Sequence, residues 1–120
     1  IKRIRATYYA MCAETDYMLG RVLAAAKDAG LYDNSLVLFT SDHGEMNLEH
    51  RQVWKNAMYE GSIRVPLIIS AGKVAGAQLA RGTRVTTLVS LLDLYPTLMS
   101  WVGADPSRPP PGVDLAGHTL

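Results

Sequence analysis

A run of β-forming apolar residues, Leu36-Val37-Leu38-Phe39, passes through Thr40 directly into Ser41-Asp42-His43-Gly44. The run does not alternate between apolar and polar positions. That fits a strand covered on both faces, as in parallel sheets flanked by helices. A strand of this kind delivers the residues that follow it to the carboxyl edge of its sheet, where ligands bind in open α/β sheets. Just upstream, Tyr8, Cys12, Thr15, Leu19, Val22 and Ala26 recur in alternating steps of four and three, one face of an amphipathic helix over about residues 6–29. Gly30 suits the left-handed position after that helix, and Lys27 favours its last turn. A helix feeding a strand is half of an αβ unit, so the chain is expected to be α/β, with a mostly parallel sheet flanked by helices.

Residues 41–61 form a long connection, and long ordered loops in compact domains are usually functional; a short helical turn is expected near Trp54–Tyr59. Val65-Pro66-Leu67-Ile68-Ile69-Ser70 reads as a second apolar strand whose early proline marks its start. Residues 71–82 are rich in Gly and Ala and read as a surface loop, and Arg84–Thr87 as a brief extended piece. From Leu88 to Val102 the helical spacing returns. Pro96 inside it implies either a kink or a helix in whose first turn it sits, and Gly103 ends the element. Residues 105–112 hold four prolines without periodicity, so 104–120 reads as a linker or wrapping segment.

With 120 residues, 48% hydrophobic and 19% charged, the composition is that of one small globular domain. The net charge of +1 says almost nothing about partners, but the chain lacks a basic run of the kind found in nucleic-acid or membrane-surface proteins, and no nucleic acid is expected as a partner. No apolar run approaches the roughly 18 residues of a membrane span. A single cysteine excludes an internal disulfide framework. The chain opens without Met and without a signal-type apolar core, so a piece of a larger polypeptide is expected.

Asp42 and His43 are the sharpest chemical feature. Neighbours on a regular strand point to opposite faces, so both can meet one ion only where the strand ends or bends, and Gly44 is expected to supply that freedom. Calcium generally prefers oxygen ligands, while zinc and manganese accept imidazole readily. The competing reading is that Asp42 caps a turn and His43 makes one surface hydrogen bond. Lys55, beside Trp54, either binds an anionic oxygen near a metal, stabilising charge that develops there, or is simply solvated. His50 has three readings: general acid, substrate donor or exposed loop histidine. Arg51 suits a substrate carboxylate or a pairing with Glu49. Glu60 and Arg64 read as an internal ion pair. Cys12, on the apolar helix face, reads as a small core residue, and His118 has no partner in view.

TSDHGE, EHRQVWK and MYEGSIRVPLII, in that order, resemble the sulfatase family of the alkaline phosphatase superfamily. YYAMCAETDYMLGRVL resembles the family's helix before that strand. VSLLDLYPTLMSWVG resembles a later helix, and PGVDLAGHTL a closing segment. The resemblance spans nearly the whole chain and implies that it is the later part of a sulfatase catalytic domain. It implies that Asp42 and His43 are metal ligands, in sulfatases to calcium, at a position where many members carry Asn in place of the histidine. It implies that Lys55 contacts the sulfate, with His50 and Arg51 in a segment able to touch a sugar. EHRQ-x-x-K-x-x-MYE is nearest to members that act as glucuronate 2-sulfatases on glycosaminoglycans, and iduronate 2-sulfatases share the Asp-His to Lys spacing. The implied substrate is a sulfated carbohydrate or aryl sulfate ester, and the implied setting lysosomal, secreted or periplasmic.

Family members attack sulfur with a formylglycine made from Cys or Ser in a C/S-x-P/A-x-R motif. This chain has no such motif, since Cys12 is followed by Ala-Glu-Thr. The nucleophile and a first Asp pair are therefore expected upstream, in the rest of the catalytic domain, and the 120 residues alone are expected to be inactive. Two alternatives stand beside this reading. One is a zinc or manganese phosphodiesterase or phosphonate hydrolase of the same superfamily. The other is a truncated, non-catalytic binding or structural module.

Overall fold

A computed structural model describes residues 1–73 and 82–105. The chain divides into two compact units, Ile1–Arg81 and Gly82–Leu120, each taken here by itself. The first opens with helix α1, Lys2–Asp28. Its end is set as the sequence requires. Gly30 takes φ +68°, its N–H donates to Lys27 O at 2.9 Å, and Leu31 N–H donates to Ala26 O at 2.9 Å. These two bonds form a Schellman motif that satisfies carbonyls the helix itself leaves open. A 3₁₀ turn, Tyr32–Asn34, leads into strand β1, Leu36–Thr40.

Strand β2, Leu67–Ala71, pairs with β1 from Leu36↔Ala71 to Thr40↔Leu67. The α/β character stands, but this pair is antiparallel, not parallel as expected. Parallel neighbours need a crossover of a dozen or more residues, usually helical. Between these strands the sole α-helix is α2, Glu60–Ile63, a single turn, so the chain doubles back on itself. Pro66 stands just before β2, where its missing N–H costs no ladder bond, and its carbonyl accepts Thr40 Oγ1–H at 2.8 Å. The two ends of the 41–66 loop are thereby closed together.

β1 is half-buried along its whole length. Within the loop, Met46 is fully buried. α1 has no buried residue, and Tyr8, Leu19 and Ala26 are only half-covered. The reading of Cys12 as a core residue is corrected among the described residues, where its side chain is exposed beside the Tyr8 hydroxyl.

In the second unit, Ser90 opens a 3₁₀ turn, Leu91–Asp93, through a reciprocal cap. Ser90 Oγ accepts Leu92 N–H at 3.3 Å and Asp93 Oδ2 accepts Ser90 N–H at 2.9 Å. Helix α3, Leu94–Trp101, follows, with Pro96 buried in its first turn, where a missing N–H breaks no helical bond. Gly103, at φ +74°, closes α3 with a second Schellman pair. Leu91 and Leu98, apolar positions of the Leu88–Val102 helical spacing, are 39% and 38% exposed on this unit. No strand forms among the described residues at Arg84–Thr87. Most of the Gly/Ala-rich loop, and the proline-rich tail with His118, lie outside the described residues.

Candidate active site

Past Thr40 the strand ends in a knot of short-range hydrogen bonds. Ser41 Oγ donates to His43 O at 2.7 Å, and Asp42 Oδ1 accepts His43 N–H at 3.0 Å. His43 Nδ1 lies 2.8 Å from Gly44 O. A carbonyl can only accept, so Nδ1 carries the proton and Nε2 presents a lone pair. Lys55 Nζ donates to that lone pair at 2.7 Å, and Asp42 Oδ2 lies 3.6 Å from Nε2. The Asp42 side chain is 85% exposed and that of His43 39%, so both remain open to a ligand.

Gly44 serves here by its size, not by an unusual backbone angle. It is not among the glycines with positive φ. A Cβ on it would lie 2.0 Å from Gly61 O, and Gly44 N–H donates to Ser62 O at 2.7 Å. The loop thus passes directly over the start of α2, a contact that only a residue without a side chain permits. The flexibility expected of Gly44 is in fact a close approach.

From Glu45 the chain runs out and back as a narrow two-rung loop. Met46 N–H donates to Trp54 O at 3.0 Å, and Leu48 N–H to Gln52 O at 2.9 Å. Arg5, on α1, clamps its far end, with Nε 3.2 Å from Asn47 O and a guanidinium nitrogen 3.5 Å from Glu49. Tyr8 lies on the same side of α1. Its hydroxyl is pushed above the ordinary tyrosine value first by burial, then by the adjacent Cys12 thiol and the carboxylates of Glu45 and Glu49.

The expected helical turn at Trp54–Tyr59 is displaced to α2, because Trp54 sits at φ +72° and Tyr59 is extended. His50 is exposed at the loop's tip, and its ring stacks on Tyr59 with centroids 3.9 Å apart at 10°. Arg51 is exposed and makes no ion pair among the described residues, since Glu49 is taken by Arg5. Glu60 and Arg64 pair at 3.0 Å as expected, at an exposed i,i+4 position worth only a few tenths of a kcal/mol.

The structure therefore brings Asp42, His43 and Lys55 to one point and sets His50 and Arg51 on the loop beyond them. Sequence reasoning gave no role to Glu45, Arg5 or the Tyr59 ring. Their contacts join residues far apart in the chain, and no local pattern marks them.

The donor set at this point suits a metal ion in part. At metal–ligand lengths of about 2.0–2.5 Å, atoms sharing one ion sit roughly 3–4 Å apart, as Asp42 Oδ2 and His43 Nε2 do. The Nδ1–H bond to Gly44 O is the kind of hydrogen bond that usually orients a ligating histidine. Among the described residues no group of three or more His, Cys, Asp and Glu gathers, so these two would make up part of a ligand set. Nε2 has one lone pair, so ligation through it requires Lys55 to release it.

Comparison with known proteins places the chain in a family. The sulfatase family model matches residues 2–104. The chain is similar to arylsulfatase K of Xenopus laevis, at 50% identity over 120 residues, and of Homo sapiens, at 43%. In both cases all of this chain matches 20% of the relative, so it spans about a fifth of the length of the curated relatives it matches. Among solved structures it is similar to a phosphonate monoester hydrolase of Agrobacterium radiobacter, with a TM-score of 0.80 and 37% identity, covering 97% of this chain and 21% of that one.

Proposed function

The chain belongs to the sulfatase family, and from that membership we propose that it forms the metal-and-anion side of an active site that hydrolyses sulfate esters. The observation that carries the proposal is the convergence of Lys55 Nζ and Asp42 Oδ2 on His43 Nε2, at 2.7 and 3.6 Å, at the open end of β1. Asp42 and His43 would hold the ion, and calcium bound there would neutralise sulfate oxygens. Lys55, freed from Nε2, donates to the ester's anionic oxygen and stabilises charge as the S–O bond lengthens. His50, backed by Tyr59, and Arg51, whose guanidinium fork suits a carboxylate, would contact the group that carries the sulfate. A sulfated uronate of a glycosaminoglycan has the charge pattern that such a loop would take. The nucleophile, a formylglycine in this family, has no counterpart among these residues and would come from elsewhere in the polypeptide. A lysosomal, secreted or periplasmic setting is part of the same proposal and rests on the family alone.

A second reading keeps the scaffold and changes the ester. An imidazole nitrogen in the ligand set favours zinc or manganese over calcium, and the similar solved structure is a phosphonate monoester hydrolase. Metal analysis of the full polypeptide, with paired assays on sulfate and phosphonate monoesters, separates the two. Sulfate-ester turnover with bound calcium supports the first reading, and phosphonate turnover with zinc or manganese the second. A folded polypeptide that binds no metal and turns over neither ester overturns both and leaves a non-catalytic module.

A further inference from the structure

Lys55 reaches His43 from a backbone that would not hold its shape unaided. Asn47, Leu48, His50, Arg51 and Trp54 all have φ between +40° and +72°. That region is unfavourable for residues with a Cβ and persists only where the surroundings over-determine it. Trp54 matters most among the five, because it immediately precedes Lys55. It is pinned at both ends. Its carbonyl accepts Met46 N–H, with Met46 itself fully buried. Its N–H donates to the Glu45 side chain through Oε1. Glu45 follows Gly44, whose carbonyl fixes the His43 ring. One three-residue stretch, Gly44 to Met46, therefore orients the histidine and anchors the residue that carries the lysine.

We infer that Glu45 is a positioning residue for Lys55. Its carboxylate, by accepting Trp54 N–H, holds the left-handed turn that delivers Lys55 Nζ to the metal-facing edge of His43. Without that acceptor Trp54 loses the bond that selects its positive φ, and Lys55 departs along a different line. The inference rests on the proposed sulfatase chemistry for its kinetic readout, but not for its structural one.

The test uses the full polypeptide. Glu45→Ala should lower kcat by about ten- to a hundredfold, as expected for loss of a hydrogen bond to a charged acceptor, with KM little changed. Glu45→Gln keeps the acceptor oxygen and should restore kcat close to that of the parent. In a Lys55→Ala background, Glu45→Ala should add no further loss. A Glu45→Ala variant with parental kcat overturns the inference, as does a Glu45→Gln variant as slow as Glu45→Ala, or losses that multiply in the double variant. If Glu45→Ala does not accumulate as folded protein, Glu45→Met keeps the volume, removes the acceptor and carries the same expectation. Crystal structures give a readout independent of turnover. Lys55 Nζ should occupy one position in the parent and Glu45→Gln and be displaced in Glu45→Ala or Glu45→Met; an unmoved Nζ overturns the inference. A parent that turns over no sulfate ester sinks the functional reading alone, and the crystal structures still decide the role of Glu45.

Discussion

Two arms of the chain meet at His43 Nε2, and they are held in different ways. Asp42 and His43 stand where a regular strand stops, fixed by hydrogen bonds that span one or two residues of sequence. Lys55 stands at the end of a loop that is fixed by contacts spanning nine residues, from Glu45 to Trp54, and forty-two, from Arg5 to Asn47. The first arm needs little beyond its own chain direction. The second needs α1, the buried Met46 and the passage of Gly44 over Gly61 to be in place together. A site divided in this way keeps its proposed ligand pair fixed locally while the placement of Lys55 depends on tertiary packing.

That contrast can be broken or sharpened by substitution in the full polypeptide. The largest effect is expected at the cation itself. Lys55→Ala should lower sulfate-ester turnover by about a hundredfold or more, the usual loss for one charge-stabilising donor, while calorimetric metal affinity holds or rises because Nε2 is freed. Near-parental turnover would remove Lys55 from the site.

On the other arm, Asp42→Ala should weaken metal affinity by at least about tenfold, since even supporting residues around a metal cost that much. Unchanged affinity by calorimetry would refute the ligand assignment. Gly44→Ala probes the crossing on which the second arm depends. Its Cβ would meet Gly61 O at 2.0 Å, so the loop must part from α2, with a loss of about 1–3 kcal/mol in denaturant unfolding. An unchanged unfolding midpoint would mean that the crossing gives way freely. The smallest effect belongs to Arg5→Ala, which removes one backbone hydrogen bond and one half-exposed ion pair. About 1 kcal/mol of stability should be lost, with turnover reduced more than metal affinity. Equal losses in the two would show that α1 supports both arms alike.

Much of the local structure is legible in the residues themselves. The three-four spacing from Tyr8 to Ala26 gives α1, and Gly30 and Gly103 close their helices through left-handed turns. Pro96 falls in the first turn of α3. The apolar run from Leu36 becomes β1, and Asp42 and His43 leave it together. These features depend on rotamer, φ and spacing preferences within a few residues, which a sequence displays directly.

The direction of β2 is not legible in the same way. An apolar run reads alike in parallel and antiparallel sheets, and the choice followed from a connection too poor in helix to cross over. The fate of the α1 face is equally hidden. Cys12 lies on its apolar stripe, yet it is exposed among the described residues.

The sequence by itself determined which residue types could serve as metal ligands and anion binder, and placed Asp42 and His43 at a strand end. Only the tertiary structure decided that Lys55 lies on His43 Nε2, that Gly44 is required by close approach, and that Glu45 and Arg5 hold the intervening loop. The physical reason is range. Helix caps and strand ends are set by forces acting over a few bonds of backbone, whereas a loop with five positive φ angles has no local preference for its shape and takes it from the surfaces it packs against.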